Sequence, residues 1–569
     1  MRPRNLLPAL TLAASAVAAN GVANAQASDP QAHGSATPIT MRGSTPNHAN
    51  PTSSSSSAPP DEGVLLRIGI PGEWQLRFIA LSDIPLATTP GQTQPSTLSQ
   101  NEYLEMWFRF RPEITIGNSF RIVSQFDVAR GILVGDSTQQ VELSRDARST
   151  ALSPFPLGAF DLRWLYLEWN SPIGLIRAGQ QGSHWGLGIV ANDGNHPQVF
   201  GDYRLGDISE RIAFATRPFG RSTDFVVALA GDLVYRDRLA RLMPYDVAIT
   251  RGPNEPAQVV QLGGDTVWQG ILSLFYQDHS CTTNCEAKRV GLYGVYRDWT
   301  NRLPGREHDF LRAGVVDLYA HWEWSTPDGL ANIFAGGEFV GIFGRTNFAR
   351  NVENAEQNIL QFGGAVELGV KREWSPRNVG FHITLQAGYA SGDTNPFDDT
   401  QRRMTFNPDY RVGLIMFPEL VAWQTARAAT IGVDNRVLGR PTPGADLIPS
   451  SGGVTNAMYF YPTAIVNFNR WIDVRAGMVV GASTTDWVDP TQPTIYGAQR
   501  NYYGGSPIPR DLGLELDFGL MGRYPIGAGL FLNGGVQGGV MFPGHAFDND
   551  MGQPLHTLGL VRVSAGLSY

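Results

Sequence analysis

The sequence predicts an all-β fold: a transmembrane, antiparallel, up-and-down β-barrel of about eighteen strands. Three observations predict it. Apolar residues recur at every second position along many segments. The connections between those segments alternate between short and long. The chain also closes on an amphipathic segment that ends in an aromatic residue.

Composition agrees. The 569 residues include 64 Gly and 10% aromatics, only 17% are charged, and the mean hydropathy is −0.16. Soluble domains carry about 25% charged residues. Beyond the N-terminus no apolar run is long enough for a membrane-spanning helix, whereas a transmembrane strand needs apolar residues on one side only. A soluble all-β propeller would show a repeat of fixed period, and none is present. The net charge of −8 does not suit nucleic-acid binding. Lysine occurs only at Lys288 and Lys371, so nearly all positive charge is arginine. GC-rich coding accounts for that at least as well as a pore lined by guanidinium groups.

Three divisions follow. Residues 1–25 read as a signal peptide, with Arg2 and Arg4 ahead of the apolar Leu6 to Ala19 and small residues Ala23-Asn24-Ala25 before the cut. Residues 26–62, with an unbroken Ser53 to Ser57, are too poor in apolar side chains to fold and form a disordered linker. Residues 63–569 form the barrel.

Period-2 alternation is the main signal. Leu512, Leu514, Leu516, Phe518 and Leu520 alternate with Gly513, Glu515, Asp517 and Gly519. Val316, Leu318, Ala320, Trp322 and Trp324 alternate with Asp317, Tyr319, His321 and Glu323. Similar patterns run through Leu104–Phe110 and Phe381–Tyr389. The apolar set in each is expected to face lipid, Leu512, Leu514, Phe518, Val316, Leu318, Phe381 and Leu385 among it.

Alternation does not separate a barrel facing lipid from a sandwich facing its own core, but loop lengths do. Strands are expected near 73–81, 102–112, 119–129, 160–170, 173–181, 210–217, 224–232, 266–277, 288–298, 312–324, 331–342, 361–373, 380–391, 456–469, 471–482, 510–524, 526–541 and 555–569. Their even-numbered connections are short. The odd-numbered ones are mostly long, including 82–101, 130–159, 182–209, 233–265, 392–455 and 483–509. Short periplasmic turns alternating with long extracellular loops are the habit of outer-membrane barrels. At the C-terminus, Val561, Val563, Ala565, Leu567 and Tyr569 share one face. This resembles the terminal strand that outer-membrane proteins present to the barrel assembly machinery, which is therefore an expected partner, together with outer-membrane lipid.

Two further stretches carry a family resemblance. Leu175-Ile176-Arg177-Ala178-Gly179-Gln180-Gln181 followed by Trp185-Gly186 is one. Gly388-Tyr389-Ala390-Ser391-Gly392-Asp393, Asn395-Pro396 and Thr405-Phe406-Asn407-Pro408-Asp409-Tyr410 form the other. Both resemble recurring segments of the alginate-export-like family of eighteen-stranded outer-membrane barrels. The resemblance implies a pore for export of an extracellular polysaccharide, with a periplasmic export partner. A diffusion porin for small hydrophilic solutes is the alternative, and a structural or adhesive surface barrel is a third.

The alternation places Arg109, Arg111, Arg121, Glu168, Arg177, Asp317, His321, Glu338, Glu367, Arg475, Glu515, Asp517 and Arg523 in the lumen, with Arg77, Arg297, Arg562, Glu105, Asp127, Glu323 and Asp473 beside them. That mixture departs from the strongly arginine-rich lumen of the alginate-type exporter and does not suit a strict polyanion. Cross-strand arginine–carboxylate pairs are expected, keeping the lumen wet and the barrel rigid. Trp74, Trp164, Trp169, Trp322, Trp324, Trp374 and Trp471 read as interfacial girdles, while Trp107 and Tyr166 fall in the lumen, where an aromatic plane suits a sugar ring. One loop, 182–209 or 392–455, is expected to fold into the pore, held by Arg177 or Arg411.

Cys281 and Cys285 are expected to form a small disulfide between the eighth and ninth strands, because no second Cys/His pair stands nearby at ligand spacing. Loop aspartates 193, 202, 207, 393, 398, 399 and 409 lack EF-hand spacing and read as solvated carboxylates. Gly182-Ser183-His184 sets a serine beside a histidine, but neighbours in a loop do not make a nucleophile–base pair. No His pair sits at metal spacing. Neither an enzyme, a cofactor nor a metal site is expected.

Overall fold

A computed structural model describes residues 66–87, 96–98, 101–136, 160–196, 198–201, 206–220, 224–236, 265–278, 287–301, 310–347, 356–375, 379–433, 448–527 and 529–569. The expected signal peptide and linker, and the expected Cys281–Cys285 disulfide, lie outside the described residues.

Eighteen long strands form the wall. They are β1 (Gly72–Leu81), β2 (Glu102–Phe110), β3 (Phe120–Gly135), β4 (Phe160–Ser171), β5 (Gly174–Gly182), β6 (Ile208–Thr216), β7 (Phe225–Arg236), β8 (Asp265–Gln277) and β9 (Ala287–Asn301), followed by β10 (Phe310–Ser325), β11 (Asn332–Thr346), β12 (Gln357–Arg372), β13 (Gly380–Ala390), β14 (Ala457–Asn467), β15 (Ile472–Ser483), β16 (Asp511–Gly527), β17 (Leu530–Pro543) and β18 (Leu558–Ser568). Each pairs antiparallel with its successor, and β18 returns to β1 from Glu73↔Ser568 to Leu81↔Leu560. Closure leaves no free edge, so the backbone groups of the paired positions find partners in neighbouring strands, as a membrane span requires. All eighteen expected strands are present.

The alternation dictates which way each side chain points. On β10, Val316 and Leu318 are about half exposed on the outer surface, while Asp317 between them is fully buried inside. On β13, Ile383, Leu385 and Tyr389 face out, and on β16 Phe518 and Leu520 face out while Glu515 and Asp517 are fully buried. An apolar exterior around a polar interior marks a barrel that stands in lipid.

Bulges break the phase at several places, and the one beside Leu512 overturns an expectation. Leu512 does not face lipid. The pairing of β15 with β16 slips between Gly481 and Ala482, Gly513 takes φ +106, and Leu512 turns inward to full burial in the same core as Met416. Trp164 is not a girdle residue. It shares the inward phase of Tyr166 and Glu168 and is buried, while a slip in the pairing of β3 with β4 between Gln125 and Phe126 turns Arg163 inward beside it. One extra residue on one strand shifts every later side chain to the opposite face.

The main apolar core sits inside the barrel rather than within its wall. A single π-helical turn (Met416–Val421) runs directly into α1 (Ala422–Val433), and Phe417, Leu420, Val421 and Trp423 from this segment, with Phe406 ahead of it, are buried in one core with Tyr459, Tyr461 and Val479 of the wall. A helix of small and apolar residues on nearly all sides is stable only when enclosed.

Candidate functional site

Two long loops enter the lumen. The loop between β5 and β6 starts at the rim and crosses to the opposite side. Its Trp185 stacks on Tyr293 of β9 at 5.0 Å between centroids and meets Phe275 and Tyr319 edge-on. The Trp185 indole N–H donates to Asp317 at 3.1 Å. Glu338 of β11 accepts the backbone N–H groups of Leu187 and Gly188, the latter at 3.0 Å. Farther along, the Val199 carbonyl accepts from Arg475 of β15 at 2.8 Å, and the Gly201 N–H donates to Gln537 of β17 at 3.2 Å.

The loop between β13 and β14 is held by one carboxylate. Glu515 accepts the N–H groups of Leu414, Ile415 and Met416 at 2.5–2.8 Å. Three amides converge on it because the backbone tightens into the π turn there, leaving successive donors without helical acceptors. Asp517 lies one strand position pair away on the same inner face and is also fully buried.

The loops are also tied to each other. The Asn407 N–H donates to the Ile189 carbonyl at 2.7 Å, and the Asn407 side chain reaches both the Val190 carbonyl and Asp207. Asp409 accepts from the Gly206 N–H at 2.7 Å, and its carbonyl accepts from Gln198 at 3.1 Å. Asp393 caps a turn through the N–H of Asn395 and the N–H of Arg402, and Asp398 pairs with Arg402 at 2.7 Å. These loop carboxylates, read from the sequence as solvated, are structural ties. The constriction was expected from one loop held by Arg177 or Arg411; two loops form it, held mainly by carboxylates.

The strands from β1 to β9 carry a ladder of paired arginines. Arg77 pairs with Glu105 at 2.9 Å. Arg109 grips Asp127 through two bonds at 2.6 and 2.9 Å, and Arg163 approaches the same carboxylate at 3.7 Å. Arg121 pairs with Glu113 at 3.0 Å and with Glu168 at 3.7 Å, and Arg177 reaches Glu168 at 2.7 Å. Arg211 grips Asp232 through two bonds of 2.7 Å, Gln269 donates to Asp232, and Arg297 donates to Gln269. The faces of Trp107 and Tyr166, sugar platforms by expectation, are covered by guanidinium groups: Arg109 lies 4.5 Å from the Trp107 ring centre and Arg177 lies 4.9 Å from that of Tyr166. Arg111 covers Trp164 at 4.8 Å.

The remaining lumen residues form smaller groups. His321 lies 3.6 Å from Glu367 and 4.0 Å from Glu323, with its ring over Phe334. Arg475 pairs with Asp473 on its own strand. Arg523 lies over Phe531 at 3.9 Å. The residues expected in the lumen form a wall ladder and a set of loop anchors rather than one site.

Sequence reading missed Arg163, Arg211, Asp232 and Gln269. Arg211 was legible from its inward phase. Arg163 stands in the lipid phase of β4, and an arginine there is itself the signal of a bulge, since a lipid-facing arginine near the midplane costs about 2–4 kcal/mol. Also missed were two histidines of the β5–β6 loop. His184 and His196 stack at 3.7 Å between centroids. Burial, and then the neighbouring His196, push the His184 imidazole down to about 4. Burial opposes ionisation of the adjacent Asp193, but its contact with His196 and the nearness of His184 outweigh that and hold it below the usual carboxylate range. Ser183 donates nothing to His184; its hydroxyl accepts from Arg211 at 3.1 Å.

No protein-family model and no curated protein matches this sequence. Solved structures superpose on it loosely. OccK9 (OpdG) of Pseudomonas aeruginosa superposes at a TM-score of 0.45 with 11% identity, over 88% of this chain and 97% of that one. OccAB2 of Acinetobacter baumannii gives 0.44 and 10%, over 88% and 98%. OpdK of Pseudomonas aeruginosa, solved with vanillate, gives 0.45 and 10%, over 88% and 98%. The chain is an eighteen-stranded β-barrel of the Gram-negative outer membrane on the strength of its own closed, lipid-facing wall.

Proposed function

We propose that this barrel is a constricted channel through which small hydrophilic solutes diffuse, rather than an exporter of polysaccharide. The observation that carries the reading is the double tie of the lumen loops, to each other through Asn407 and Asp409 and to separate stretches of the wall through Glu338 and Glu515. A hydrated polymer needs both loops out of the way. Withdrawing them would expose Phe200, Phe406, Phe417 and Trp423, all buried, to water. At roughly 25 cal/mol per Å², each large side chain loses about 1.5–3 kcal/mol, and the broken loop ties add to that. A small solute needs only the wet margin left along the polar wall, where Arg121, Glu168 and Arg177 remain partly exposed.

The outward apolar face of Val561, Val563 and Leu567 on β18 supports outer-membrane lipid as the surrounding partner, and a wall of this kind suits insertion by the barrel assembly machinery. The test is reconstitution of the full protein. Small, steady conductance steps in planar bilayers and swelling of liposomes in small sugars or amino acids are the expected result. Silent bilayers with no swelling overturn the proposal, and loss of secreted polysaccharide from a clean deletion strain would restore the export reading.

A further inference from the structure

The β5–β6 loop folds back so that its first turn meets its middle. His184, Asp193 and His196 thereby come together although nothing in their spacing suggests it. Their ligand-bearing atoms all lie within 4.8 Å of one another. The Asp193 carboxylate is 3.1 Å from Nδ1 of His196. Nδ1 of His184 is buried without a hydrogen-bond partner, while Nδ1 of His196 has the Asp193 carboxylate beside it. A buried ring nitrogen that goes unsatisfied is uncommon and calls for a reason.

We propose that His184, Asp193 and His196 bind a divalent transition-metal ion, such as Zn²⁺ or Cu²⁺, inside the lumen. Two imidazoles and one carboxylate suit these ions, whereas Ca²⁺ and Mg²⁺ require sets of oxygen ligands. Three protein ligands leave a coordination position open. An ion with bonds of about 2.0–2.1 Å needs its ligand atoms roughly 3.3 Å apart, so the group must close by somewhat over 1 Å. Side-chain rotation can supply this, because the backbone around the group is already fixed. The Trp185 N–H donates to the Ala191 carbonyl, and the Gly194 N–H donates to the Asn192 side chain. The Asn195 N–H donates to Asp193, Gln125 of the wall donates to Asn195, and Arg163 reaches the Asp193 carbonyl. Asp193 and His196 keep 19% and 18% of their side-chain surface exposed, so an ion entering the lumen can reach them.

Two cations oppose the ion. Arg111 faces Asp193 from the wall, and Arg163 lies behind the loop. Their charge weakens the site without filling it, so the bound ion is expected to exchange with solution. Binding would join the start of the loop to its middle and stiffen the constriction at that point.

The test uses full-length protein in detergent, stripped with EDTA and carrying Cys281→Ser and Cys285→Ser so that thiols cannot act as ligands. Equilibrium dialysis against Zn²⁺ and electron paramagnetic resonance with Cu²⁺ are the readouts. One equivalent of tight metal and nitrogen coupling from two imidazoles are expected. Because loss of an outer-shell partner alone typically weakens metal binding 10–100-fold, H184A and H196A should each lower affinity by at least about tenfold and reduce the coupling to one nitrogen. Asp193→Asn should weaken binding while keeping both nitrogens, and H184Q tests the same point with a side chain that preserves loop packing. A heat-modifiable gel shift confirms that each variant is a folded barrel. The same Cu²⁺ signal in the H184A/H196A double variant, or no stoichiometric binding in the parent, overturns the proposal.

Discussion

Carboxylates of the two sides of the lumen are satisfied in different ways. From β2 to β7, Glu105, Asp127, Glu168 and Asp232 are met by guanidinium groups of neighbouring strands. On β11 and β16, Glu338 and Glu515 are met by backbone amides of the inserted loops. The first arrangement is closed within the wall and needs nothing from the loops. The second is open until a loop arrives, because a carboxylate on a wall without nearby arginines keeps its acceptor capacity. Arginine placement on the wall therefore decides where the lumen can hold a plug.

The largest expected effect comes from breaking an anchor. Glu515→Ala leaves three buried amides without an acceptor, at about 1–3 kcal/mol each. The β13–β14 loop should loosen, single-channel conductance should rise several-fold, and protease should reach the loop. Glu338→Ala should do the same for the β5–β6 loop on a smaller scale, having two amides to release. Unchanged conductance in both variants would mean that loop-to-loop ties alone hold the constriction. Breaking a wall pair should act otherwise. Arg211→Met strips Asp232 of its two-bond partner but leaves the contacts from Gln269 and Ser209. It should cost about 1–3 kcal/mol in urea unfolding from lipid vesicles with conductance unchanged. Arg177→Ala is the mildest case. Its pair with Glu168 is partly exposed, so stability should fall by less than about 1 kcal/mol, while the reversal potential in a salt gradient moves toward cation selectivity.

The constriction was only partly legible. Both loops stood out by length, and their length gave a reason to expect one of them inside. The holding residues were misjudged because arginine was weighed as the natural tether. From β1 to β7 most wall arginines are spent on their cross-strand neighbours, a matter of register that no single strand reveals, while Arg163 and Arg475 also reach carbonyls of the β5–β6 loop. Asp409 and Asp207 were read as solvated for a similar reason: their partners, Gly206 and Asn407, stand on the other loop, about 200 positions away in the chain.

Sequence by itself determined the strand count, the alternation of short and long connections, and the facing of most side chains. Each of these follows from local rules: a pleat of period 2, and a membrane that admits no unpaired backbone. Tertiary structure alone decided the rest. The inward turn of Leu512 and Arg163 depends on bulges, which exist only between two paired strands. The meeting of His184 with His196, and of Glu515 with three consecutive amides, depends on chain segments distant in sequence filling one enclosed volume. A closed wall fixes what lies on its inner face, but which loop fills the interior is settled by packing and by the polar groups left without partners there.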